Sequence, residues 1–267
     1  MKFRIIVFVC VMTLALGSVF AEEIKGQDEP IGHGEAVRAT GGPDTFGYTW
    51  ADQAEGSCPY QFVEISGTGT DLGDGDDDAF VQALGGPAFN FYGTTYADVT
   101  AATNGYLSFG DTSGGDHSND CPLPATPSIG AGGRIYPLQD DLDVDPLCDD
   151  CAVYFEYFAT CPRPNDDGIP GTTGCNVIQW DAQHFSGGAG PYTERFQAIL
   201  YDTYEIVVQV ATQSEGGSGS TTGIQNPAAD DGLTYACDSA GSIVDGTAVC
   251  FFHPTPVPVD LQFFTAE

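Results

Sequence analysis

The chain is poor in positive charge. Seven Lys and Arg stand against 38 Asp and Glu in 267 residues, a net charge of −31 at pH 7. A surface of that sign repels phosphate backbones and anionic headgroups, which excludes nucleic acid and membrane surfaces as partners. Lysine occurs twice, at Lys2 and Lys25, so a lysine-based nucleophile is not expected. The four histidines, His33, His117, His184 and His253, are scattered, and none has the spacing of an HExxH metal motif. His184 lies near Trp180 and Asp181 but reads as a polar strand-end residue rather than a base. No G-x-S-x-G elbow occurs. Beyond residue 21 no apolar run is long enough to cross a bilayer, and no amphipathic-helix period or fixed repeat is present.

What is present begins with an address. Lys2 and Arg4 form a basic start, Ile5 to Leu16 an apolar stretch, and Val19-Phe20-Ala21 a small-residue exit. This reads as a secretory signal peptide over 1–21, cut after Ala21, rather than a membrane anchor. Five basic residues then remain: Lys25, Arg38, Arg134, Arg163 and Arg195. Setting aside Cys10 inside the apolar stretch leaves eight cysteines: Cys58, Cys121, Cys148, Cys151, Cys161, Cys175, Cys237 and Cys250. An even count behind a signal peptide predicts disulfides in an oxidising compartment, although spacing alone does not fix their connectivity. The local pairings expected are Cys161 with Cys175, closing a Pro/Gly/Asp loop, and Cys237 with Cys250, closing a hairpin. Cys148-Asp-Asp-Cys151 resembles half a zinc knuckle, but without a second CxxC a disulfide is the better reading.

The body of the chain reads as short strands. Residues 22–42 form a flexible leader, 43–254 one β domain and 255–267 a tail. Strands are predicted at Phe46–Trp50, Phe62–Ile65, Phe80–Leu84, Ala152–Phe158, Val177–Trp180 and Ala248–Phe252. Gly67 to Asp78 (GTGTDLGDGDDD) and Asp111 to Gly133 are read as loops. The segment Phe89 to Gly110, FNFYGTTYADVTAATNGYLSFG, is the centre of the pattern. Asn104-Gly105 marks a hairpin, because both residues tolerate positive φ, and Phe91-Tyr92-Gly93 marks another turn. In Arg195 to Ala211, Phe196, Ala198 and Leu200, then Ile206, Val208 and Val210, alternate as two antiparallel strands with one buried face. Frequent turn signals between roughly ten strands predict an all-β fold, an antiparallel β-sandwich with long acidic loops and disulfides.

Five pieces carry a family resemblance: FNFYGTTYADVTAATNGYLSFG, IYPLQDDLDV, NVIQWDAQHF, RFQAILYDTYEIVVQV and GIQNPAADDGLTY. In this order they resemble the nidogen-like (NIDO-type) β-sandwich domains and their relatives in secreted bacterial proteins, over about residues 46–252. Gln139 stands where the family usually has an aromatic before the acidic pair, and the Cys161–Cys175 loop looks like an addition. The resemblance implies an extracellular, non-catalytic module of matrix, adhesion or multidomain secreted proteins, and brings no catalytic residues with it.

The candidate site is acidic. Asp140, Asp141, Asp143 and Asp145 leave a strand in which every second side chain points the same way, so Asp141, Asp143 and Asp145 are expected to converge. Ligation by oxygen alone suits Ca²⁺, which takes six to eight such donors. Asp74-Gly75-Asp76-Asp77-Asp78 is a second candidate, with Asp74, Asp76 and Asp78 as donors, and Asp230-Asp231-Gly232 a weaker third that reads as a turn. Solvated acidic loops are the competing account. The expected function is a secreted module in adhesion, matrix or surface assembly, calcium-stabilised, with an extracellular protein or glycan as partner and self-association through a strand edge as a further property. A calcium-dependent carbohydrate-binding module is the first alternative. A glycosidase, or an accessory domain of a secreted hydrolase, is the second, although no acid sits in an evidently apolar stretch that would raise its pKa.

Overall fold

Short runs of β-branched and aromatic residues, cut by glycine, asparagine and proline, satisfy most of their backbone groups by pairing with other runs. The computed structural model describes residues 40–144, 147–165, 173–185 and 190–254. The proposed signal peptide, nearly all of the leader, the tail and Asp145 lie outside the described residues. Among those described there is no helix. In chain order the strands begin with β1 (Thr40–Gly41), β2 (Thr49–Asp52), β3 (Thr70–Gly73), β4 (Gly75–Asp76) and β5 (Ala79–Ala83). Then come β6 (Phe89–Phe91), β7 (Thr94–Tyr96), β8 (Asp98–Ala102), β9 (Tyr106–Ser108) and β10 (Arg134–Gln139). They continue as β11 (Leu142–Val144), β12 (Cys148–Asp149), β13 (Ala152–Phe158), β14 (Cys175–His184) and β15 (Gly190–Pro191). The last are β16 (Glu194–Tyr201), β17 (Ile206–Thr212), β18 (Thr221–Gln225), β19 (Gly232–Cys237) and β20 (Thr247–Phe252).

Ten strands form one sheet, in the order β1-β2-β20-β17-β16-β14-β11-β4, with β13 and β3 branching from β14. Six form the other, β19-β18-β10-β9-β8-β5. Pairing within both is antiparallel; the small β12–β15 ladder is parallel. The expected antiparallel β-sandwich is what forms. Ile178, Ala198, Val208 and Val249 of the larger sheet face Val99, Leu107, Ile135 and Ile224 of the smaller in one core. Trp180, fully buried, stacks on Phe196 at 5.1 Å and donates its indole N–H across the sandwich to Ala102 O at 2.8 Å.

The expectation of a single buried face fails on the large sheet. Val177, Ile199, Val207 and Cys250 point outward yet are buried under Cys58, Val63 and Ile65 of the segment before β3. That segment includes Phe62–Ile65, predicted as a strand, but it joins no sheet. Its backbone pairs instead with side-chain amides. Gln179, Gln197 and Gln209 stand side by side in register on β14, β16 and β17. Gln209 accepts from Gln61 N (2.6 Å) and donates to Gln61 O (2.9 Å); Gln179 accepts from Ile65 N (3.0 Å). The Gln197 amide, nitrogen toward Val63 O, closes both bonds to Val63 at 3.0 Å. A glutamine presents the same donor and acceptor as a peptide group, so the row serves as a false neighbouring strand running across the sheet.

Other departures have local causes. Phe46–Trp50 contributes only its last two residues to β2, because Asp44 Oδ1 accepts from Gly47 N and Tyr48 N (2.7 and 2.8 Å) and curls the chain before it. The stretch read as a loop from Gly67 contains β3 and β4, kinked apart at Gly73 and Gly75, whose φ values are 137° and 154°. The two hairpins differ. Tyr92-Gly93 forms a two-residue loop with both φ values positive (48° and 80°), the mirror-image turn that suits a twisted hairpin. Ala102 pairs with Tyr106, so the second loop has three residues, Thr103-Asn104-Gly105, and only Gly105 has positive φ, at 75°.

The disulfides are Cys58–Cys250, Cys121–Cys237, Cys148–Cys151 and Cys161–Cys175, with Cα separations of 5.2–5.8 Å. The expected Cys161–Cys175 bond is present, and Cys148 and Cys151 are consumed as a disulfide rather than left as zinc thiolates. The expected Cys237–Cys250 pairing is wrong: the two lie in different sheets, on β19 and β20, and each is bonded to the segment covering its own sheet.

Candidate functional site

Asp140 and Asp141 occupy the step between the two layers. Gln139 ends β10 in the smaller sheet, and Leu142 begins β11 in the larger. Beyond the step, β11 lies between β4 and the end of β14: Asp143 pairs with Asp76 on one side and Gln183 on the other. This ladder joins the two acidic stretches that the sequence holds apart.

One cluster forms on the β4 side. Carboxylate oxygens of Asp76, Asp77 and Asp141 lie within 4.8 Å of one another. Asn104 brackets them: its Nδ2 donates to Asp77 Oδ1 (2.7 Å), and its Oδ1 accepts from Leu142 N (2.9 Å). Fully buried, Asn104 therefore acts through its side chain as much as through its turn. Thr103 N donates to Asp78 O at 2.9 Å, fixing the far end of the acidic loop. His117 Nδ1 is 3.7 Å from Asp77. Burial raises the Asp141 carboxyl above its ordinary range; His117 opposes that, and the Asp77 and Asp76 charges add to it.

A different cluster forms on the β14 side. His184 Nε2 lies 3.8 Å from Asp140 Oδ1 and 3.4 Å from Glu215 Oε2. Glu194, at the start of β16 and 3% exposed, accepts from Ser214 N at 3.0 Å and from the Ser214 hydroxyl, and so anchors the residue before Glu215. Burial pushes Asp140 up to about 6; the Asp141 N–H and His184 pull down, while Glu215 and Glu194 push up. Burial also raises Glu194.

The expected convergence of Asp141, Asp143 and Asp145 is thus corrected. Asp140 and Asp141 diverge into separate clusters at the sheet-to-sheet step, where strand alternation does not hold, and Asp143 belongs to the ladder. Asp145 lies outside the described residues. Among the described residues, Asp76 is the one of Asp74, Asp76 and Asp78 that enters a cluster, joined by Asp77. Asp230 and Asp231 form a turn held by Asn226, and the Asp231 carboxylate reaches from it to accept from the distant Thr45 N and Phe46 N at 2.9 and 2.8 Å. Asp181, the sequence neighbour considered for His184, is bound by Arg195 at 2.7 and 2.8 Å. Gln139 is buried and accepts from Asp120 N at 3.2 Å, so it anchors the covering loop. Sequence reading missed Glu215 and Glu194, whose only common signal with Asp140 is charge.

Away from both clusters, Phe46, Tyr92, Thr94, Asn226, Pro227 and Asp231 help line an open groove of about 440 Å³. Most of its polar atoms are engaged: the Tyr92 hydroxyl donates to Asp44 (2.7 Å), and Asn226 holds Asp230 (2.7 Å).

In comparison with known proteins, the model of a family described as NIDO related matches residues 48–251. No curated protein and no solved structure matches the chain.

Proposed function

Given that the chain belongs to the NIDO-related (nidogen-related) family, we propose that it is an extracellular module without catalytic activity, acting in adhesion, matrix or surface assembly, with Ca²⁺ bound at Asp76, Asp77 and Asp141. The family is in general a non-enzymatic domain type, and four disulfides are consistent with an extracellular protein. The observation that carries the calcium reading is the meeting of two separate acidic stretches across the β4–β11 ladder, with three carboxylates inside 4.8 Å. Oxygen-only donors suit a large hard cation that accepts variable coordination geometry. Clamping the loops by such an ion would give a partner a rigid surface at this end of the sandwich.

A melting curve with and without millimolar Ca²⁺ tests the reading, since an ion held only by the folded form must raise Tm. The expected result is a rise that disappears in Asp77→Asn; equal melting with and without calcium would remove the ion from the proposal. The aromatic groove favours a second reading, carbohydrate binding through Phe46 and Tyr92, for which glycan-array signals abolished by Tyr92→Ala are the check. Its engaged polar atoms leave few groups to orient a sugar, so it ranks second.

A further inference from the structure

We propose that Asp140, His184 and Glu215 form a site for a zinc-class divalent transition-metal ion, separate from the oxygen-only cluster at Asp76, Asp77 and Asp141. The donor set is the first reason. An imidazole nitrogen with two carboxylate oxygens suits zinc and its borderline neighbours, whereas calcium selects oxygen alone. The spacing is the second. Metal–ligand bonds of about 2.0–2.2 Å place tetrahedral donors roughly 3.3–3.6 Å apart. The nitrogen-to-oxygen separations are 3.4 and 3.8 Å, and all three donor atoms lie within 4.8 Å of one another. Small side-chain rotations close the remaining gap. Both separations are longer than an ordinary hydrogen bond, and each is an ion pair only while the imidazole is protonated.

The surroundings fit an ion as well. Gly219 lies over the set: a Cβ there would come within 3.2 Å of Glu215 Oε2 and 3.3 Å of Asp140 Oδ2. A larger residue would crowd both donors. Glu194 positions Glu215 by holding Ser214 from the buried side. Asp140, His184 and Glu215 side chains are 13%, 31% and 39% exposed, so the site is rooted at Asp140 and open to solvent at Glu215, leaving a fourth position for water. Three carboxylates, Asp140, Glu215 and Glu194, face one imidazole here, and a dication offsets two of their charges where a single imidazolium offsets one.

The test is isothermal titration of Zn²⁺ into the purified, disulfide-bonded protein after chelator treatment, in buffer containing millimolar Ca²⁺ to occupy exposed acidic loops. Binding at about one ion per chain is expected, weakened about tenfold or more in both His184→Ala and Glu215→Gln. His117→Ala, at the other cluster, should bind as the parent does. Co²⁺ in place of Zn²⁺ should give visible absorption bands of a low-coordinate nitrogen–oxygen site, lost in His184→Ala. Glu215 is on an exposed loop, so its variant remains informative if the strand-end change disturbs folding. No stoichiometric binding against calcium, or binding indifferent to both substitutions, overturns the proposal and leaves an ion pair in an acidic atmosphere.

Discussion

Asp140 is a buried acid among other acids, and its titration has a definite sign. Burial foremost, with Glu215 and Glu194, lifts it to about 6, above the roughly 3.9 of an unfolded chain. The folded state therefore binds that proton more tightly. Stability from this group is present below about pH 4 and is lost as pH rises through about 6. In chelator-treated protein, Asp140→Asn should raise stability at pH 7 by about 1 kcal/mol, a figure discounted for the group's partial exposure. Melting curves at pH 7 and pH 4 check this; a gain of equal size at both would assign it to something other than the charge. The same substitution should cost the protein its zinc-class ion, so function and stability oppose each other at this residue. Reading the sequence picks out Asp140 as a site residue but assigns it the wrong companions. Its partners lie on β14 and after β17, and nothing local in the chain distinguishes Glu215 from the other acids.

At the scale of elements, the segment 61–65 shows how a strand-like sequence ends outside every sheet. Phe62-Val63-Glu64-Ile65 has the alternation of a strand, and Val63 and Ile65 are buried as that alternation requires. What the pattern leaves open is what the backbone pairs with, since a row of glutamine amides meets the same requirement as a neighbouring strand. Gln197→Ala would leave both backbone groups of Val63 without partners. A loss of about 1–3 kcal/mol is expected, measured by urea unfolding. Gln197→Glu should cost as much or more, because a carboxylate supplies no donor for Val63 O; a neutral result for both would remove the amide row from the account. The other sheet is covered by a similar device. Arg134, fully buried, binds Asp116 (2.6 Å) and Asp120 (3.0 Å) of the loop above it, while its guanidinium lies 4.3 Å from the Tyr106 ring centre. In both cases polar side chains projecting from a sheet hold a segment that has no pairing of its own. The hairpins at Tyr92-Gly93 and around Asn104-Gly105 were legible because turns are decided within a few residues. The covering layers were not, because their partners are strands far along the chain.

For the whole molecule, the disulfides follow this layered plan. Cys58–Cys250 ties the outer belt to β20 over a separation of 192 residues, and Cys121–Cys237 ties the other cover to β19 over 116. Cys148–Cys151 spans three. Closing a longer loop removes more freedom from the unfolded chain. Replacing Cys58 and Cys250 together by serine should therefore cost about 2–5 kcal/mol, with a smaller loss for Cys148 and Cys151. Chemical denaturation of the two double variants under the same oxidising conditions checks the order, and a reversed order would show that chain entropy is not what these bonds supply.

The amino-acid sequence by itself determined the class of fold, the two hairpins, the use of cysteine in disulfides and the acidity of the chain, because turn chemistry, period-two alternation and composition act over short distances. Only the tertiary structure decided which acids share a cluster, which cysteines meet and why both faces of the large sheet are dry. Each of those depends on contacts between residues scores of positions apart, set by the step from one sheet to the other and by segments laid across their outer faces.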